Sequence, residues 1–298
     1  MIDLIGDIHG YSDQLEALLN KLGYKKKGRT YFHPERRVLF LGDYINKGPK
    51  IKETLEIVKA MTDQGSAIAL MGNHEYNAIR NVFSIENEDM PVESNYQCEE
   101  TLAAFKYNRK EFNYYVDWFK SLPLFYENKY FRAVHACWDP GHIALLRKKL
   151  SGKIPTGELI RDTTAGLRLN RALTETLTGK DLFLPNTALF REKGIGAGAS
   201  IRIKWWEDPS QMSYKNISVD RLDNLPDIPV DLSLIKNRQY YGEDEKPVFF
   251  GHYGRARYSS IIRHNLCCLD FAVANGGALA AYRMDQASRL NNEKLVTV

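Results

Sequence analysis

No stretch of this 298-residue sequence approaches the ~20 consecutive apolar residues that a membrane-spanning helix needs. Its four cysteines, Cys98, Cys137, Cys267 and Cys268, form no CxxC pair. Neither a zinc knuckle nor a redox dithiol is therefore written in the chain, and the cysteines read as reduced core thiols. Charge of one sign is also scarce: 41 basic residues against 37 acidic ones leave a formal charge of +4. That balance gives no electrostatic footing for nucleic acid or a membrane surface as the main partner. Internal repeats and low-complexity tracts are missing as well. Met1 runs straight into the apolar Ile2–Ile5, with no secretory leader, so a cytoplasmic protein is expected.

What is present is a globular composition, 44% hydrophobic and 26% charged, in a length suited to one large domain or two small ones. Three apolar runs stop in the same way. Ile2–Ile5 ends in Gly6-Asp7, Val38–Leu41 in Gly42-Asp43, and Ala67–Met71 in Gly72-Asn73; His9 and His74 follow closely. Between them lie two amphipathic helices. One opens at Ser12-Asp13, where Asp13 and Glu16 fit a capping box, carries Leu15, Leu18, Leu19 and Leu22 on one face, and stops at Gly23. The other runs from Ile51 to Gln64. This βαβαβ order predicts an α/β fold with a parallel sheet covered by helices. The three polar strand ends would then meet on one edge, where open α/β sheets bind ligands.

Residues 80–125 read as helical, and their aromatics, Phe105, Tyr107, Phe112, Tyr114, Tyr115, Trp118 and Phe119, read as core. The basic run Lys25, Lys26, Lys27, Arg29 reads as a solvated turn. Two later strands end in histidines, Phe131–Val134 at His135 and Val248–Phe250 at Gly251-His252. Antiparallel strands are expected at 259–262 and 265–271, a hairpin turn at Asn275-Gly276-Gly277 with its return strand at Leu279–Arg283, and a loose polar tail. Within a single domain over 1–298, residues 139–246 stand apart as an inserted, largely helical cap, with helices near 141–150 and 157–178 and a loop at Pro226–Asp231.

Asp7, His9, Asp43, Asn73, His74, His135 and His252 are oxygen and nitrogen donors gathered from five strand ends, a set suited to manganese, iron or zinc. Any one of them alone is an ordinary loop residue; five strand ends offering such residues together are not. The segments Gly6-Asp7-Ile8-His9-Gly10, Gly42-Asp43-Tyr44-Ile45-Asn46-Lys47-Gly48, Gly72-Asn73-His74-Glu75, His135 and Gly251-His252 resemble, in order, the signature of the calcineurin-like metallophosphoesterases. The phosphoprotein phosphatases and symmetrical diadenosine tetraphosphatases are the most similar subgroup. The resemblance covers about residues 1–138 and 248–284. It extends to Leu269-Asp270-Phe271 through Gly276-Gly277-Ala278-Leu279, and more briefly to Trp206-Glu207-Asp208-Pro209, which is similar to a Trp-x-Asp-Pro segment of protein phosphatases.

The resemblance implies two mixed β-sheets packed together and flanked by helices. It places one metal ion on Asp7, His9 and Asp43 and a second on Asp43, Asn73, His135 and His252, so that Asp43 bridges them and a shared water becomes nucleophilic. It makes His74 the proton donor to the leaving group, with Asn46 behind it, and turns Lys47 and Asn73 toward substrate phosphate. Arg255 or Arg257 stands as a further phosphate contact or as a surface arginine. The family loop reads Gly-Asp-x-x-Asp-Arg-Gly, whereas here Asn46-Lys47 replaces Asp-Arg. Asn46 brings no charge to His74, which lowers the imidazole pKa and slows turnover, and Lys47 offers a point charge in place of a bidentate fork. The expected activity is hydrolysis of a phosphomonoester on a phosphorylated protein or small molecule. Dinucleoside polyphosphate hydrolysis is the alternative. A metal-binding regulatory protein with little turnover is a third reading and nucleic-acid end processing a fourth.

Overall fold

The apolar strands alternate strictly between two interiors, and that alternation sets the layers. In β1 (Ile2–Ile5) and β4 (Arg37–Phe40), Leu4 and Leu39 face one side while Ile5, Val38 and Phe40 face the other. The first side meets a second sheet, where Ala133, Phe249 and Cys267 turn inward and Val134, Val248, Phe250, Leu266 and Cys268 turn outward. Such period-two patterning, apolar on both faces, marks sheets covered twice. The computed structural model describes residues 1–86, 98–150, 164–254, 260–286 and 289–298.

The chain enters through β1, α1 (Ser12–Lys21), a small ribbon β2 (Lys25–Lys27) and β3 (Thr30–Phe32), then β4, α2 (Ile51–Asp63) and β5 (Ala67–Ala69). Helices α3 (Asn73–Glu86), α4 (Glu99–Ala104) and α5 (Arg109–Phe119) lead to β6 (Phe125–Glu127) and β7 (Arg132–Val134). Next come α6 (Pro140–Lys149), α7 (Thr164–Thr178), β8 (Lys180–Phe183), α8 (Ala188–Glu192), β9 (Ser200–Ile203) and α9 (Tyr214–Ile217). The chain closes with β10 (Val248–Phe250), β11 (Ile261–Arg263), β12 (Leu266–Cys268), β13 (Ala280–Met284) and β14 (Leu295–Thr297).

One five-stranded sheet runs β14-β13-β1-β4-β5 and the other β11-β12-β10-β7-β6. Strands β1, β4 and β5 are parallel, as the βαβαβ order predicts, and so are β7, β10 and β12. Antiparallel strands flank both trios, which makes the sheets mixed. The C-terminal ends of β1, β4, β5, β7 and β10 carry Asp7, Asp43, Asn73, His135 and His252. Among the described residues no helix is long and apolar enough to cross a membrane. The four cysteines are free and buried.

Several local expectations fail for identifiable reasons. The capping box at Asp13 does not form: Tyr11 is the N-cap, without a side-chain cap, and Asp13 instead accepts from Lys50 Nζ at 2.7 Å. The basic run is solvated as expected, but only Arg29 lies in a turn: Lys25–Lys27 form strand β2, paired with β3, with Lys26 tied to Glu16. Asn275-Gly276-Gly277 is not a hairpin. It passes the chain from β12 in one sheet to β13 in the other, where β13 pairs with β1. The tail is not loose, since β14 adds to the edge of β13. In the aromatic run, Phe105, Phe112, Tyr115, Trp118 and Phe119 are buried, but Tyr107 and Tyr114 are exposed.

Strands β7 and β10 lie side by side in their sheet with residues 139–246 between them in sequence. Besides its helices this segment has a two-stranded ribbon, β8 paired antiparallel with β9. Leu182, Ile201 and Ile203 of the ribbon turn into a separate core with Phe190, Tyr214 and Ile217. A buried ion pair fastens it to the sandwich: Lys180 Nζ lies 2.6 Å from the Asp139 carboxylate, which also accepts from Asn237 at 2.7 Å. Asp139 in turn caps α6, so the start of the ribbon is fixed to the strand-β7 end.

Candidate active site

The strand-end loops are bound to one another before any ligand is considered. Ile8 and His9 both donate their N–H to the Asp43 carbonyl, at 3.1 and 2.8 Å, and Gly48 donates to the His9 carbonyl at 2.8 Å. Fully buried Glu75 accepts from the backbone N–H of Asp43, Tyr44 and Gly72, at 2.8–2.9 Å. One carboxylate thus knots the β4 and β5 ends together. The approach is close: a Cβ at Gly251 would overlap Asp7 Oδ1, and one at Gly72 would overlap Asp43 Oδ1.

Among the described residues six non-glycines have positive φ, and five of them are here: His9, Asp43, Asn46, Lys47 and His252. Each such conformation costs on the order of 1–2 kcal/mol, and strain of this kind persists where surrounding contacts over-determine it, typically at functional sites.

Three imidazoles surround Asp43. His9 Nε2 and His74 Nε2 lie 3.5 and 3.8 Å from Oδ2, and His135 Nε2 lies 3.5 Å from Oδ1. Two donor trios result, His9–Asp43–His74 and Asp43–His135–His252, each with its atoms within 4.8 Å of one another. Asp43 belongs to both. Backbone carbonyls fix two of the ring tautomers: His9 Nδ1 donates to Ile45 at 3.0 Å and His135 Nδ1 to Leu41 at 2.8 Å. Both Nε2 lone pairs therefore face the centre. Asn73 and His74 open α3, so the positive end of its dipole also points there.

The donors fit metal ions. His135 Nε2 meets Asn73 Oδ1 at 2.9 Å, lone pair toward lone pair, an opposition that a cation resolves. Asp7 accepts from His252 N–H through Oδ2, while its buried Oδ1 has no partner. Side-chain cations already stand against two ring nitrogens, Lys47 Nζ 3.1 Å from His9 Nε2 and Arg202 Nη1 2.6 Å from His252 Nε2.

The electrostatics agree. Burial, then Asp270 and Asp43, push the Asp7 carboxyl well above the usual carboxylate range. Burial and Asp43 push Glu75 up to about 8. For Asp43, burial is outweighed by His135, His74, His9 and His252, which hold it below that range. Burial lowers His9 to about 4 and lowers His74 and, further, His252. These imidazoles are neutral at pH 7, as ligation requires, and the raised Asp7 and Glu75 carboxyls mark a centre that added positive charge would stabilise.

His74 sits beside the trios. Its N–H donates to Asp43 Oδ1 at 3.1 Å, and its Nδ1 lies 2.6 Å from Asn46 Nδ2. The Thr101 hydroxyl donates to Asn46 Oδ1, so the Asn46 amide gives its N–H to His74 Nδ1 and leaves the ring proton on Nε2. The sequence-predicted site residues at strand ends converge: Asp7, outside the two trios, accepts the His252 N–H through Oδ2, and His74 stands in the first trio beside His9 and Asp43. Arg255 and Arg257 lie outside the described residues.

Three residues were missed. Glu75 adjoins the Asn73-His74 pair, and a charged residue fused to a motif was its only signal. Asp270 accepts from Gly254 and Ala272 N–H at 2.7 and 2.9 Å, steadying the loop after His252. Arg202 reaches His252 from β9, held by Asp181 at 2.7 Å; only the alternation of Ser200–Ile203 hints at it.

A calcineurin-like phosphoesterase family model matches residues 1–161, more than half of the 298. The chain belongs to that family. Members of this phosphoesterase family use a dinuclear metal site. Among curated proteins, the asymmetrical bis(5'-nucleosyl)-tetraphosphatases PrpE of Halalkalibacterium halodurans and Bacillus subtilis are each 42% identical over 73 residues, 24% of this chain. Those matches span only 30% of the relatives' length. The symmetrical bis(5'-nucleosyl)-tetraphosphatase of Marinomonas sp. is 23% identical over 97% of this chain and 95% of its own. A solved structure assigned as a diadenosine tetraphosphatase superposes with a TM-score of 0.51 at 16% identity, covering 100% of this chain and 92% of its own. A cold-active protein tyrosine phosphatase gives 0.51 at 15%, over 95% and 73%. At such identities these two show a shared fold.

Proposed function

We propose that this chain is a dinuclear-metal phosphoesterase acting on a phosphate ester or anhydride. The observation that carries this is Asp43, whose two oxygens face two different donor trios. Asp7, His9 and Asp43 would hold one metal ion, and Asp43, Asn73, His135 and His252 the other. Manganese is the first metal to test, with iron and zinc as alternatives. Bound there, the pair would neutralise phosphoryl oxygens and make water nucleophilic at neutral pH.

The remaining work falls to the chain. Lys47, Arg202 and Asn73 would orient the phosphoryl group, and Arg202, anchored by Asp181, offers the planar fork that Lys47 lacks. His74 would donate a hydrogen bond from Nε2–H to the leaving oxygen. A neutral imidazole is a weak donor, so esters with poor leaving groups should react slowly.

The test is steady hydrolysis of a chromogenic aryl phosphate with Mn²⁺, lost on chelation and restored by Mn²⁺. Activity indifferent to chelation overturns the reading. A binding protein with little turnover is the reading that Asn46 favours, and metal uptake without hydrolysis would support it. Dinucleoside polyphosphates are the substrate alternative favoured by the full-length Marinomonas relative.

Metal binding should also depend on pH with a definite sign. Asp7 and Glu75 have raised pKa values, Glu75 up to about 8, so the stability they lend the metal-free fold is present below the unfolded value of ~4 and is lost as pH climbs through their folded values. A cation favours the ionised Asp7 and displaces its proton, so affinity rises with pH. His9, lowered to about 4, already offers its lone pair at pH 5. Saturating Mn²⁺ should therefore raise Tm more at pH 8 than at pH 5, by about 2 °C or more, the shift that ~1 kcal/mol makes in a chain of this size. Equal shifts would contradict the assignment of Asp7.

A further inference from the structure

Arg202 is held at three places along its side chain. Nε lies 2.7 Å from the Asp181 carboxylate and Nη1 lies 2.6 Å from His252 Nε2. The third place is the stem. It lies over buried Gly179, the residue between α7 and β8, where an added Cβ would come within 2.9 Å of Arg202 Cδ and would overlap the Tyr253 hydroxyl. A notch the size of one methyl group is thus shared by the arginine that reaches the metal site and the tyrosine that follows a metal-site histidine. The notch is itself fixed, because the next residue, Lys180, is the one paired with buried Asp139.

Helix capping explains only part of this glycine. Gly179 has φ 82°, and its N–H donates to the Glu175 carbonyl at 2.9 Å, an ending that asparagine also supports. Here, however, any side chain meets both neighbours. Tyr253 has little room to retreat. Its ring packs against Trp206, Phe250 and His252, with centroids 5.8, 5.7 and 5.4 Å away. Its buried hydroxyl has no hydrogen-bond partner among the described residues, so shape alone seats it. The Arg202 side chain is 27% exposed and is the part that would yield. Carbons in ordinary contact sit ~3.5–4.0 Å apart, so the stem would retreat by roughly 0.6–1 Å, and the guanidinium bonded to it would leave His252.

We propose that Gly179 is a positioning residue for phosphate binding: its missing side chain seats the Arg202 stem so that the guanidinium stands at the metal centre. This rests on the phosphoesterase reading, in which Arg202 orients the phosphoryl group. It adds a residue of the inserted segment that acts only through that arginine.

The test is calorimetric titration of inorganic phosphate into the Mn²⁺-loaded protein, with aryl phosphate turnover measured alongside. Gly179→Ala should weaken phosphate about tenfold, as losing a hydrogen bond to a charged group does. It should lower kcat/KM by about 10–100-fold, up to what a misplacement of an ångström costs. Both losses should vanish in an Arg202→Ala background, where no stem is left to displace; a loss passing through the helix cap or through His252 would persist there. Gly179→Asn should lose as much as Gly179→Ala, although asparagine tolerates the left-handed backbone, and it carries the comparison if the alanine variant does not fold. The bound Mn²⁺ count should match the parent protein's throughout. Full phosphate affinity in the Gly179 variants, a loss confined to alanine, or an equal loss with and without Arg202 overturns the positioning role. Turnover that Arg202→Ala leaves unchanged removes the arginine and its notch and leaves the phosphoesterase standing. Phosphate binding that depends on Gly179 and Arg202, without hydrolysis of any ester, keeps the notch and ends the phosphoesterase reading.

Discussion

Asp43→Asn should lower aryl phosphate hydrolysis by roughly a thousandfold, at or beyond the upper end for losing one electrostatic stabiliser, and should leave the fold intact. The two halves of that result come from different properties of the residue. Asp43 is the only carboxylate in both donor trios, so an amide there halves the negative charge available to a bridged pair and leaves one oxygen where two are needed. The backbone at this position has φ 56°, and asparagine is among the residues that tolerate the left-handed region best. The amide oxygen still accepts the His74 N–H that Asp43 Oδ1 accepts now. Removing the charge also relieves its repulsion of Asp7 and Glu75, whose pKa values it raises. The metal-free variant should thus melt no lower than the parent protein, while its bound-metal count falls from two per chain to one or none. Retention of a tenth of the activity would refute the bridging role, and a collapse in Tm would show a structural one.

The distinction between charge and scaffold also explains what could be read from the sequence. Asp7, Asp43, Asn73, His135 and His252 were legible because each ends an apolar run, and a strand that stops at glycine and then a polar side chain announces an edge. The parallel order of β1, β4 and β5 followed from the two intervening helices. Glu75 was not legible as a scaffold residue, because its three backbone donors come from two loops and are assembled only by tertiary contact. Arg202 was hidden in the same way, in a ribbon whose hydrophobic face is a four-residue alternation. Asn275-Gly276-Gly277 carries hairpin chemistry, yet β13 finds β1 and not β12, since register with a buried neighbour outweighs a local turn preference. At Asp13, a capping signal lost to the nearby Lys50 ammonium.

Asn46→Asp with Lys47→Arg should speed hydrolysis of an alkyl phosphate by about 10–100-fold, part of what positioned acid catalysis is worth, with a smaller gain on an aryl phosphate, whose leaving group needs no proton. The geometry is prepared for the change. Thr101 donates its hydroxyl proton to Asn46 Oδ1, and the amide N–H points at His74 Nδ1 from 2.6 Å. An aspartate keeps the acceptor that Thr101 uses and replaces the amide N–H with a second oxygen. That oxygen accepts a hydrogen bond from Nδ1–H where the amide donated one, so the ring changes from a neutral imidazole fixed as acceptor to an imidazolium with Nε2–H aimed at the leaving oxygen. Burial at present lowers the His74 pKa, and Lys47 adds to this; a carboxylate in contact opposes both. The alkaline limb of the pH–rate profile should therefore move up together with the rate. Arginine at 47 adds the bidentate phosphate contact that a lysine cannot make. A double variant that gains nothing on the alkyl ester, or gains equally on both esters, would show that protonation of the leaving group is not what limits this site.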